Sequence, residues 1–346
     1  MKGVAFIGAV VAALAFAPVV GGSPRDDTER LQQRLDSGGG TIYLPKLGGG
    51  ACYRTRGLWV SHDNTRITSN GACIVAIGSG PVRLRSNDGD PIASDAIFFV
   101  NHSDKLAPAP AGVVIEGLKL VVPEAARMFG IEIYGHYVTV RHVTVTGSPV
   151  DDVYVGDRAN GDGYASHVLI THCRLENGGR NVLSAVSFVH LRIEHSTLVN
   201  ASSAYRGTPK EGGNPSAGID IEPNSRGELV LDLRIAHNAI AHNGGPGVLL
   251  ALNSSSGNPF DATRLTIVGN HIFDNGRSKG ALPGGIVVFH GEADGKGTLL
   301  VAGNDVNRNS GYGITGWQMI QTAELRANDL RGNELGGLKN VKLKRR

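Results

Sequence analysis

A short apolar motif with a small or amide fourth residue returns six times between residues 170 and 330 of this chain. Ile170-Thr-His-Cys173-Arg-Leu175 is answered by Ile193-Glu-His-Ser196-Thr-Leu198 and Ile235-Ala-His-Asn238-Ala-Ile240. Ile267-Val-Gly-Asn270-His-Ile272, Val301-Ala-Gly-Asn304-Asp-Val306 and Leu325-Arg-Ala-Asn328-Asp-Leu330 follow. The fourth positions, Cys173, Ser196, Asn238, Asn270, Asn304 and Asn328, lie 23, 42, 32, 34 and 24 residues apart. Unequal steps exclude a helical repeat of fixed length. They fit a coil of constant minimum size that carries loops of variable size. Within the motif, apolar residues alternate with period two, so the unit is a strand. The reading is a solenoid of stacked parallel strands, in which Asn side chains hydrogen-bond from coil to coil at a bend.

Composition agrees. The 346 residues include 49 Gly and only 5% aromatics, which suits a turn-dense all-β architecture. A formal net charge of +3 is too small to mark a dedicated nucleic-acid binder, so no nucleic-acid partner is expected. No composition shift divides the chain, and one domain is expected over 24–346. Residues 1–23 read as a secretory signal peptide: Lys2, an apolar run from Val4 to Val20, then Gly21-Gly22-Ser23. That implies a secreted or cell-surface protein with no membrane span after cleavage. Around residues 26–36, Asp26 and Glu29 have capping-box spacing, and Leu31 and Leu35 share one face. This predicts a short N-terminal helix that covers the open end of the core. Cys52 and Cys73 are close in sequence, and whether they bridge stays open; Cys173 reads as a buried, inert thiol. His142, His172, His195 and His237 share one repeat position, read as a stack at a bend. The basic end from Lys339 to Arg346 reads as a frayed strand and a solvated tail.

A second strand follows each Asn turn. Stacked in register, these strands send Ile131/Ile133, Val153/Val155, Ile219/Ile221, Val248/Leu250 and Ile286/Val288 inward. One outward column then reads Glu132, Tyr154, Ser184, Asp220, Leu249, Val287, Thr315. Its neighbour reads Tyr134, Gly156, Val186, Glu222, Ala251, Phe289, Trp317. Only the strand with Asp220 and Glu222 carries two acids. Tyr134 and Tyr154 on one side and Phe289 and Trp317 on the other suit the C–H faces of sugar rings.

The unit Val/Ile-x-x-Asn-x-Ile/Leu-x-x-Asn-Gly-Gly, followed by Gly-Ile/Val-x-Val/Leu, resembles the right-handed parallel β-helix repeat of the pectate-lyase-like superfamily. It extends over about residues 113–338, with weaker coils over 42–99. The resemblance implies a polysaccharide-handling protein among lyases, hydrolases, uronic-acid epimerases, tail-spike enzymes and non-catalytic surface proteins. The Gly218-Ile-Asp-Ile-Glu-Pro223 strand is reminiscent of the Asp-Pro-His-Asp/Glu strand of alginate epimerases but lacks its His.

The leading expectation is β-elimination on an acidic polysaccharide at a groove containing Asp220 and Glu222. Arg180 and His290 join them as catalytic candidates. Arg206 and Lys210, from the insertion before the acidic strand, would receive the substrate's charge together with the four aromatic residues. Residues two apart on a strand lie about 6.5–7 Å apart, which overlaps the carboxyl spacing of glycoside hydrolases. Hydrolysis or epimerisation with the same acids is therefore the alternative, and a non-catalytic glycan-binding solenoid the other. No metal site is marked by spacing, although the acid pair offers hard oxygens to Ca²⁺. Oligomeric state is left open.

Overall fold

The structure, a computed structural model, describes residues 25–80, 82–85, 91–93, 95–102, 108–156, 163–202, 215–224, 227–252, 262–278, 282–289, 298–317 and 322–344. The expected signal segment, Arg206, Lys210 and His290 lie outside the described residues.

Strands dominate, and nearly all pair in parallel. One sheet contains Leu58–Trp59, Ala96–Val100, Phe129–Ile133, Asp151–Val155, Asn181–Ala185, Ile219–Ile221, Val248–Ala251, Ile286–Phe289, Tyr312–Trp317 and Gly336–Lys339, stacked in sequence order. The other large sheet is bent. In each coil a longer strand such as Val230–Ala236 turns through two residues into a three-residue strand such as Ala239–Ala241, and each half stacks on its counterpart. The chain is thus the expected solenoid, with a core of Ile, Val and Leu running its length.

The bend has a backbone cause. His142, His172, His195 and His237 have φ between 51° and 55°, and Gly269 and Gly303 take over the position in later coils. Left-handed backbone turns the chain without breaking the flanking pairing, and His tolerates it better than β-branched residues do. The four imidazoles stack with ring centroids 5.1–5.2 Å apart, as the shared repeat position implied.

Immediately after the bend, the Asn side chains point inward and link the coils. Asn238, Asn270, Asn304 and Asn328 are joined by Nδ2 donating to the next Oδ1 at 2.9–3.0 Å. Each Oδ1 also accepts the backbone N–H of the preceding coil. Ser196 and Cys173 continue this line toward the N-terminus. A second ladder, Asn243, Asn275, Asn309 and Asn333, repeats the arrangement at the next corner. Four glycines make room for it. A Cβ at Gly218, Gly247, Gly285 or Gly313 would come within 2.7–3.0 Å of the Nδ2 of Asn243, Asn275, Asn309 or Asn333 respectively. This explains why Gly precedes the strand in the motif.

The cap is the helix Thr28–Asp36, which buries Leu31 and Leu35 against the first coil. Its start differs from the capping box. Asp26 accepts from the Thr28 backbone and hydroxyl, with no reciprocal bond from Glu29. The buried Gln32 amide accepts from Trp59 N at 2.8 Å and donates to Trp59 O at 3.0 Å, so the helix ends the sheet edge as a further strand would. Cys52 and Cys73, paired across neighbouring strands, form a disulfide. Cys173 is buried, and burial pushes its thiol up to about 11. The basic tail departs from expectation twice: Lys339 closes the last strand, paired opposite Thr315, and the backbone of Lys342 and Lys344 hydrogen-bonds to Ala323.

Candidate active site

The outward columns fall where the alternation put them. Tyr154 pairs with Ser184, Ser184 with Asp220, Asp220 with Leu249, Leu249 with Val287 and Val287 with Thr315. Ile219 and Ile221 fill the core, so Asp220 leaves the opposite side of the sheet. Outward does not mean wet. Asp220 is 2% exposed, whereas Glu222 is half-buried.

Asp220 is held from one side only. Asn181 Nδ2 donates to its Oδ2 at 2.9 Å, and the buried Asn181 is fixed by accepting from Ala217 N at 2.8 Å and donating to Ser184 Oγ. The other oxygen, Oδ1, is buried with no hydrogen-bond donor. Glu222, two residues further on, neighbours Asp220 closely enough for its charge to act on it. Burial, then the neighbouring Glu222 charge, raise the Asp220 carboxyl well above the ordinary range; burial also raises Glu222, with Arg180 pulling the other way. A charge on either of these neighbouring carboxyls opposes ionisation of the other.

Arg180 is the cation of this cluster. Its Nε donates to Asp151 Oδ1 at 3.1 Å and its Nη2 to Asp151 Oδ2, while Asp151 also accepts from Asn181 N at 2.9 Å. Burial disfavours its charge, but Asp151, Asp220 and Tyr154 outweigh that and keep it firmly charged. The fully buried Asp151 therefore fixes the guanidinium beside the acid pair. Tyr154 lies two rungs from Asp220, or about 10 Å.

The aromatic expectation divides. Tyr134, expected as a sugar platform, is 4% exposed and packed 5.2 Å from Phe99, which itself lies 4.5 Å from Trp59. A ring with no free face cannot stack on a sugar, so Tyr134 belongs to a packed cluster. Tyr154, at the margin of that cluster, is half-buried. Phe289 is half-buried 5.8 Å from Trp317, which is 50% exposed. Among the described residues, no three His, Cys, Asp or Glu converge as metal ligands. Asn181 was not anticipated; its signal was an amide one rung before the acidic strand, next to Arg180.

Asp152 is a separate feature. It is fully buried, and burial raises its carboxyl well above the ordinary range; the Ser148 N–H opposes this, and the Asp151 and Glu176 charges add to it. A folded-state value above the unfolded one stabilises fully below the unfolded value, near 4, and that contribution is lost as pH rises through the folded value. Asp152→Asn is therefore expected to raise thermal stability at neutral and alkaline pH, by about 1–2 kcal/mol, and to change little near pH 4. Melting curves across pH check this; equal shifts at all pH values would contradict it.

The family described as "Right handed beta helix region" matches residues 64–330. No curated protein sequence matches the chain. Among solved structures, the full-length tailspike protein 2 from Escherichia coli O157:H7 bacteriophage CAB120 is similar at 13% identity and a TM-score of 0.60, over 89% of this chain and 37% of that one. The enzymatically active domain of bacteriophage CBA120 tailspike protein 2 is similar at 13% identity and a TM-score of 0.53, over 92% and 41%. This chain thus spans about two-fifths of the length of each. At such identity the likeness concerns the fold alone.

Proposed function

This chain belongs to the right-handed β-helix family, and we propose that it acts on an acidic polysaccharide by β-elimination at Glu222. The observation that carries this reading is a fixed guanidinium, Arg180 held by Asp151, beside two neighbouring carboxyls, Asp220 and Glu222, that burial raises. Elimination from a uronate needs its carboxylate neutralised, its C5 proton removed and its leaving oxygen protonated. Arg180 is one-third exposed and locked by Asp151, which suits the first task. Glu222 is the member of the pair that reaches solvent, and its raised carboxyl makes it the better base. Glu222 takes the C5 proton, the electron pair forms the C4–C5 double bond, the C4–O bond breaks, and the proton taken by Glu222 passes to the leaving oxygen. Asp220, its carboxyl raised by burial, stays behind Glu222 as a positioning residue.

Relatives at this distance carry the comparison no further than the fold, so substrate class rests on Arg180 and the acid pair. An extracellular site of action rests on the N-terminal segment.

The deciding experiment is incubation of the purified protein with a panel of polyuronates, following the ultraviolet absorbance of an unsaturated uronide. Growth of that absorbance is the expected result. New reducing ends without it would assign hydrolysis. C5 proton exchange with solvent, without chain cleavage, would assign epimerisation. The near-complete burial of Asp220 favours one second reading, a non-catalytic glycan-binding solenoid, which predicts saturable binding and constant glycan mass.

A further inference from the structure

The outward face carries a second feature, at the end of the solenoid remote from the capping helix. A cavity of 350 Å³ opens among Leu282, Val287, Tyr312, Thr315, Trp317 and Lys339. It continues the columns of the acid pair: Thr315 and then Lys339 follow Val287 in the line of Asp220, and Trp317 follows Phe289 in the line of Glu222. Three rungs separate Glu222 from Trp317, or about 14 Å. The cavity is nevertheless a place of its own. Leu249, Ala251 and Val287, lying between, are buried in an apolar cluster with Leu282 and Phe289 packed on them, so no open wall joins the two.

Its chemistry is that of a sugar cradle. Leu282, Val287 and the half-exposed Trp317 give an apolar wall for a ring's C–H face. Thr315 and Asn340 offer hydroxyl and amide groups at the side. Lys339 holds its ammonium 5.3 Å over the Tyr312 ring and forms no ion pair with a carboxylate among the described residues. A cation parked on an aromatic face beside a cavity can receive an anion from a ligand.

We propose that this cavity is a second, non-catalytic saccharide site that takes one residue of an acidic glycan, its ring against Trp317 and its carboxylate at Lys339. The ligand class follows the reading of Glu222; the site's existence does not depend on turnover. It would anchor a polymer on the face where the acid pair lies.

The chain has two tryptophans, and Trp59 is fully buried, so a ligand-induced change in tryptophan fluorescence reports Trp317. The test uses the full-length Glu222→Gln protein, in which nothing is consumed. It is titrated with hexasaccharides of galacturonate, mannuronate and guluronate and with a neutral galactan hexasaccharide, and calorimetry is run in parallel. A saturable fluorescence change with at least one acidic hexasaccharide is expected. Adding Lys339→Gln should weaken that binding by about tenfold and leave any neutral binding unchanged. No saturable change with any acidic member, or equal affinity in the Lys339→Gln protein, overturns the proposal. Calorimetric binding without a fluorescence change also overturns it and leaves the Glu222 reading standing. Fluorescence binding in a wild-type protein that turns over no polyuronate does the reverse.

Discussion

Glu222→Gln is expected to lower turnover of an acidic glycan by about 10²–10⁴-fold, the range associated with a general acid–base group. The fold should be intact, because Glu222 is half-buried at the outer surface and the core beneath it belongs to Ile219 and Ile221. Asp220→Asn separates the two partners. It keeps an oxygen for Asn181 Nδ2 but removes the charge coupling. The raised carboxyl of Asp220 gives up its contribution to stability as pH climbs through its folded value. The Asn protein should therefore match the parent in melting temperature at acid pH and exceed it at alkaline pH. Its activity should fall. Full activity in both variants with normal melting curves would leave the acid pair without a catalytic role.

Asn270→Ala should destabilise the protein by about 3–5 kcal/mol, large for one substitution, because it strands several buried groups at once. Asn270 Nδ2 donates to Ile235 O at 2.9 Å and to Asn304 Oδ1 at 2.9 Å, and its Oδ1 accepts both Asn238 N and Asn238 Nδ2. Alanine leaves donors and acceptors of three coils facing a space that water does not reach. The exposed Asn177, whose amide meets only Thr146 Oγ1 at 3.3 Å, is the control; its backbone is left-handed at φ 66°, so its Gly variant, which keeps that conformation without strain, should shift stability by no more than about 0.5 kcal/mol. Denaturant unfolding of both proteins measures the difference. Similar small losses would mean that coil stacking depends on the aliphatic core alone.

The Asn ladder also shows why so much of the fold was readable. Asn238, Asn270, Asn304 and Asn328 recur because stacking places identical side chains at identical corners, where an amide can both donate and accept. Period-two alternation then dictates which neighbour faces inward, which is why the register of Asp220 against Ser184 and Leu249 matched expectation. The second ladder stands at a fixed five-residue step from the first, at Asn243, Asn275, Asn309 and Asn333, but only the stacked coils show those amides linked to one another. Tyr134 was misplaced for a different reason. Alternation sends it outward, but only packing against Phe99 decides whether an outward ring stays free.

By itself, then, the sequence determined the stacked coils, the capping helix and the side of the sheet from which each acid leaves, since all three follow from spacing along the chain. Only the tertiary structure decided that Asp220 is dry, that Asp151 rather than the acid pair holds Arg180, and that burial raises both carboxyls. Those outcomes depend on contacts between coils many residues apart, and on how far each group is removed from water, which no local pattern encodes.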